Sequence, residues 1–106
     1  MRTNAVTYHG ISFDIMALET FCLENGINKL SLFGSVLRDD FGSESDVDML
    51  VEFMPGEKVG FMRLMEIESA LSRALKRKKI DLRTPEDISE YFRDRVLEEA
   101  ETLYVR

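Results

Sequence analysis

The sequence predicts an α+β (mixed α/β) chain in which a small mixed β-sheet is flanked by helices. Three observations carry this expectation. Segments with helical spacing of apolar residues alternate with short apolar runs. Turn-forming residues punctuate the joins. The central connection between strand-like runs is short, which permits mixed rather than purely parallel pairing. At 106 residues, with 44% hydrophobic and 32% charged side chains, two prolines and six glycines, the chain suits one globular domain over residues 1–106.

The elements follow in order. From residue 12 to about 25, Ile15, Leu18, Phe21, Cys22 and Leu23 recur at three- and four-residue spacing, with Ser12 as a cap and Gly26 as a stop. Residues 27–33 form a short apolar-rich run that ends abruptly at Gly34 and reads as a strand entering a tight turn. Residues 35 to about 41 read as a short helix, and Gly42-Ser43-Glu44-Ser45 is loop chemistry. Residues 46–53 place Val47, Met49, Val51 and Phe53 on one side of a strand. After a break at residues 54–58, the residues Phe61, Leu64, Met65, Ile67, Leu71, Ala74 and Leu75 mark a long amphipathic helix. Phe61, Met62 and Met65 are expected in the core; an exposed apolar edge there would mark a partner surface.

The basic run Lys76-Arg77-Lys78-Lys79 favours the negative end of that helix. Residues 79–83 form a third strand, Pro85 opens a new segment, and residues 88 to about 104 carry helical periodicity through Tyr91, Phe92, Val96, Leu97 and Ala100. The expected sheet has three or more strands, covered by helices on one side.

A formal charge of −6 argues against long nucleic acid held on a broad basic surface. A small polyanion such as a nucleoside triphosphate is compatible with it when cations and backbone amides neutralise the phosphates. One cysteine, Cys22, cannot form an intramolecular disulfide and reads as a small buried hydrophobe, which fits the cytoplasm. The N-terminal residues lack the apolar core of a signal peptide, and no run of about 18 apolar residues occurs, so neither export by that route nor a membrane span is expected. His9, the one histidine, reads as an ordinary surface or packing residue.

Chemistry concentrates at five positions. Gly34-Ser35 leaves a strand and opens a helix, so backbone amides and the Ser35 hydroxyl can face an anion, a weak signal alone because Gly-Ser is common in turns. Asp46 and Asp48 stand two apart on a predicted strand, which puts both on one face with backbones roughly 6.6 Å apart. Two carboxylates about 4 Å apart repel by about 4 kcal/mol at an effective dielectric near 20, so a divalent cation is the simplest compensation, and oxygen ligands suit magnesium or manganese. The alternative is a solvated edge with exposed acids. Asp81, between Ile80 and Leu82, faces away from the core if those two face into it, and can join the pair.

The order and spacing of these motifs resemble the polymerase-β-like nucleotidyltransferase superfamily. Leu32-Phe33-Gly34-Ser35-Val36-Leu37-Arg38, then Ser45-Asp46-Val47-Asp48-Met49-Leu50-Val51-Glu52-Phe53, and Lys79-Ile80-Asp81-Leu82 look like its minimal nucleotidyltransferase (MNT) group. The resemblance implies that fold, with Gly34 and Ser35 holding the triphosphate and Arg38 contacting phosphate. It implies Asp46 and Asp48 as ligands of two Mg²⁺ ions, or Mn²⁺ in their place, with Asp81 as third ligand or activator of the acceptor hydroxyl. Where the family commonly has glycine after the arginine, this chain carries Asp39 and Asp40. The resemblance further implies an antitoxin that transfers AMP from ATP to a tyrosine of a HEPN-domain ribonuclease toxin. The rival readings are inhibition by stoichiometric binding over an inactive nucleotide site, and transfer to RNA or a small molecule. A homodimer is compatible with a chain of this size.

Overall fold

The structure, a computed structural model, describes residues 5–8, 11–38, 41–42, 45–76 and 79–106. His9, Asp39, Asp40, Arg77 and Lys78 lie outside the described residues. The chain opens with an antiparallel hairpin, β1 (Ala5–Tyr8) and β2 (Ile11–Asp14), followed directly by helix α1 (Ile15–Glu24). Strand β3 (Ile27–Phe33) leads into a 3₁₀ turn (Gly34–Leu37), then come β4 (Val47–Phe53), α2 (Phe61–Ala74) and β5 (Ile80–Arg83). A second 3₁₀ turn (Pro85–Asp87), α3 (Glu90–Glu99) and β6 (Glu101–Val105) complete the order.

The main sheet runs β5-β4-β3-β6. β3 pairs antiparallel with both β4 and β6, whereas β4 and β5 run parallel, so the sheet is mixed as expected. Parallel neighbours require a crossover, and α2 supplies it. In the registers, Leu30 faces Val51, Leu32 faces Met49, Val47 faces Ile80, and Met49 faces Leu82. All seven are buried and share one face, where Leu18 and Cys22 of α1 and Ile67 and Leu71 of α2 join them in a single core. Covering this face with helices leaves the alternate residues of β4 and β5 on the other face.

Local chemistry explains the boundaries. Asp14, not Ser12, caps α1 by accepting a hydrogen bond from the Ala17 amide at 3.2 Å, because residues 11–14 are drawn into the hairpin. Gly26, at φ +66°, follows the Asn25 cap in the left-handed conformation expected of a helix stop. Pro85 does open a segment: Thr84 and Asp87 close a capping box, with the Asp87 carboxylate accepting from the Thr84 amide and hydroxyl at 3.2 and 3.1 Å.

Three expectations change. The helix expected over residues 35–41 shortens to one 3₁₀ turn, with Arg38 already extended. The helix expected to run to residue 104 stops at Glu99; Ala100 is extended, and Glu101–Val105 pairs with β3 as the fourth strand. There Leu103 and Tyr104 are both buried, which consecutive strand residues achieve through the register shift opposite Leu30 and Ser31. Phe61, Met62 and Met65 are exposed rather than core, and Ile67 and Leu71 take the buried positions of α2. Among the described residues no helix is long and apolar enough to cross a membrane. Leu71→Ala is expected to lower the stability of the fold by about 3 kcal/mol, read as a lower urea midpoint at unchanged m-value.

Candidate active site

Strand pairing brings the polar chemistry of three segments to one place. Asp48 on β4 lies directly beside Asp81 on β5 in the parallel register and across from Phe33 on β3 in the antiparallel one. Ile80 and Leu82 are buried in the core, so Asp81 points to the open face, as the alternation requires. The chain turns at Gly34 immediately after Phe33, which folds the Gly34-Ser35 turn over Asp48. Gly34 stands at φ +75°, and a Cβ on it would meet Asp48 Oδ2 at 2.6 Å. The glycine is therefore required by contact with the carboxylate itself, in addition to the left-handed backbone. The Ser35 amide donates a hydrogen bond to the Asp48 carboxylate, and the Ser35 hydroxyl donates to the Asp46 carbonyl at 3.5 Å.

Asp46 sits one residue before β4 and is exposed, at the mouth of the strand rather than on it. Its charge still reaches Asp48. Burial first, then the negative charges of Asp81 and Asp46, push the Asp48 carboxyl above the ordinary carboxylate range, while Arg83 and the Ser35 amide pull the other way. Arg83 stands two residues beyond Asp81 on the same face and pairs with its Oδ2 at 3.2 Å. The two side chains are 48% and 32% exposed, so this ion pair contributes little to stability; its importance is local charge. Arg38 is exposed and lines an open cleft with Gly34, Leu37, Glu99 and Glu101, so it lies beside the turn that it was expected to serve.

The donor set fits a hard divalent cation in kind: all oxygen, and under mutual repulsion that positive charge would relieve. Among the described residues no three carboxylate, histidine or cysteine groups are gathered into a closed metal cluster. Magnesium characteristically takes one or two carboxylates and completes its shell with water and substrate phosphate, so a closed protein cage is not what this chemistry needs.

Two residues beside the site escaped the sequence reading. Arg83 was legible in principle, because period two places it on the face of Asp81. Glu68 was not, since it reaches from α2 to accept a hydrogen bond from the Leu82 amide at 2.8 Å, holding β5 by its outer side. Cys22 is buried and remote in role, its thiol pushed up to about 12 by burial.

A glycine-serine turn closed over paired carboxylates on a mixed sheet is the arrangement of a nucleotidyltransferase. Residues 17–106 match the polymerase beta nucleotidyltransferase family, and the chain belongs to it. It is similar to a candidate protein adenylyltransferase of Methanocaldococcus jannaschii, 36% identical over 78 residues that cover 74% of this chain and 81% of the relative. Its fold is also that of a chain in a toxin-antitoxin crystallised with AMP-PNP, at TM-score 0.69, 19% identity, and 89% and 75% coverage of the two chains. A chain from the complex of tri-AMPylated Shewanella oneidensis HEPN toxin with MNT antitoxin gives TM-score 0.61 at 19% identity, with 87% and 70% coverage.

Gly34→Ala is expected to destabilise the protein by at least about 1–2 kcal/mol, the cost of a left-handed non-glycine residue, measured by thermal unfolding. The raised Asp48 carboxyl sets a pH dependence. The folded protein keeps that proton to higher pH than the unfolded chain does, so no penalty exists while both are protonated, and one grows as pH rises from the ordinary carboxylate value through the raised one. In EDTA, Asp48→Asn should therefore melt above the wild type at neutral pH, and the two curves should converge below about pH 4.

Proposed function

We propose that this chain is a Mg²⁺-dependent protein adenylyltransferase that moves AMP from ATP to a tyrosine hydroxyl of a HEPN-domain toxin and thereby acts as its antitoxin. The observation that carries the reading is the lateral pairing of Asp48 with Asp81 under the Gly34-Ser35 turn. The protein adenylyltransferase relative, and the same fold in complexes that contain AMP-PNP or an AMPylated HEPN toxin, support the choice of nucleotide and acceptor.

In this reading Gly34 and Ser35 hold the triphosphate, Arg38 approaches its outer phosphates, and Asp46, Asp48 and Asp81 hold two divalent cations. Bound there, the cations neutralise phosphate oxygens and charge developing in transfer. The acceptor oxygen forms a bond to the α-phosphorus as the bond from that phosphorus to the bridging oxygen breaks, and pyrophosphate leaves. The hydroxyl proton passes to Asp81 or to solvent, which is the step that a carboxylate on the acceptor side can assist. Phosphate on the toxin adds bulk and negative charge, which opposes binding of RNA. A cytoplasmic setting accords with a lone buried thiol.

One observation favours the second reading, inhibition by binding alone. The Ser35 amide is occupied by Asp48, and Asp81 is paired with Arg83, so the groups that would meet ligand are satisfied within the chain. Incubation with the protein encoded beside it, Mg²⁺ and each NTP in turn, followed by intact mass spectrometry of that neighbour, separates the two. The adenylyltransferase adds one or more AMP units with ATP, and Asp46→Asn or Asp48→Asn lowers the rate by more than about 100-fold, since outer-shell partners of metals alone account for 10- to 100-fold. An inhibited but unmodified neighbour sinks the transferase reading.

A further inference from the structure

Helix α2 begins with apolar side chains that no core covers. Phe61 and Met62 are 73% and 75% exposed and Met65 is 39% exposed, although the helix buries Ile67 and Leu71 a turn or two later. Three exposed large hydrophobes within five residues of one helix start contribute nothing to the core, and a cluster of this kind is a candidate interaction site. Phe61 and Met65 also form one wall of a cavity of about 530 Å³. β5 contributes Asp81, Leu82 and Arg83 to its lining, and Asp81 is the carboxylate on the acceptor side of the site proposed above.

The ionisable lining of this cavity decides what can enter it. Among the described lining residues, Glu68, Asp81 and Asp87 face one cation, Arg83. Glu68 is held by the Leu82 amide, Asp87 by Thr84 and Asp81 by Arg83, so these charges are fixed in place. Beyond the Asp81–Arg83 pair, Glu68 and Asp87 leave the described lining negative, which attracts a basic segment. An apolar wall of phenylalanine and methionine accommodates an aromatic ring, which methionine sulfur contacts favourably. The volume lies within the range of small-ligand pockets and admits one aromatic side chain with its flanks.

We propose that the cavity between the start of α2 and β5 is the acceptor groove: it receives a segment of the protein partner bearing an aromatic hydroxyl, flanked by basic residues. The ring packs against Phe61 and Met65, its hydroxyl is directed toward Asp81, and Met62 extends the contact onto the partner's surface. The chemistry at the hydroxyl rests on the adenylyltransferase reading, whereas the docking does not. The groove accounts for the departure from a buried helix face, since the same residues that fail to enter the core cover the partner.

The test uses the full chain and the protein encoded beside it, with affinity measured by calorimetry without nucleotide and AMP transfer measured by mass. The double variant Phe61→Ala with Met65→Ala should weaken the complex at least tenfold and raise KM for the acceptor to match, with kcat within twofold and unchanged ATP affinity. Phe61→Leu with Met65→Leu should recover most of the affinity, which a mere disturbance of folding would not predict. Met16→Ala, an exposed apolar residue on α1, should change neither readout. If wild type transfers AMP and the double variant binds and transfers equally well, the groove is overturned and the adenylyltransferase reading stands. If no AMP is transferred yet the double variant loses affinity, the groove stands and the transferase reading falls. Failure of the wild type to bind that protein overturns the groove, which commits to a protein occupant.

Discussion

The parallel pairing of β4 with β5 is the constraint around which the rest of the molecule is arranged. Register sets Asp48 beside Asp81, so the backbone itself keeps the two acids on neighbouring hydrogen-bonded strands. The sheet therefore holds like charges together at a standing cost, which burial of Asp48 increases. Each neighbouring feature answers that cost. Gly34 leaves room for the carboxylate oxygen, Ser35 offers it an amide, and Arg83 supplies a positive charge.

The two faces of the sheet divide the labour. Leu30, Leu32, Val47, Met49, Val51, Ile80 and Leu82 pack against α1 and α2 and contribute the hydrophobic stabilisation. That burial keeps the opposite face rigid while leaving it free to carry residues with poor packing value. Because side chains alternate strictly, the strand that builds the core also presents the acids, and slipping the register by one residue would exchange the two roles. Core and site are thus specified by the same pairing.

Much of this was legible from the residues alone. The buried parity of β4 and β5 and the placement of Asp81 followed from period-two alternation, and the Gly34 turn followed from an apolar run ending at glycine. Asp46 was placed one residue too far into the strand, an ordinary uncertainty at element ends. What was not legible depended on long-range pairing. Residues 101–105 carry Thr, Leu, Tyr and Val, a strand-like composition, yet helical spacing inherited from α3 extended over them; β3, some seventy residues earlier, decides the outcome. The hairpin competed with the helix start at Ser12 for the same reason. Phe61 and Met65 satisfied helical periodicity, but periodicity locates a stripe and does not say what covers it.

The Glu68 contact also shapes how the sheet meets other chains. An edge strand with free outward amides is a template for another strand, and β5 is such an edge. By occupying the outward amide of Leu82 in the middle of that four-residue strand, Glu68 discourages a stray strand from annealing next to the carboxylates. One carboxylate on a helix thereby guards the edge of the sheet beside the face that carries Asp48 and Asp81.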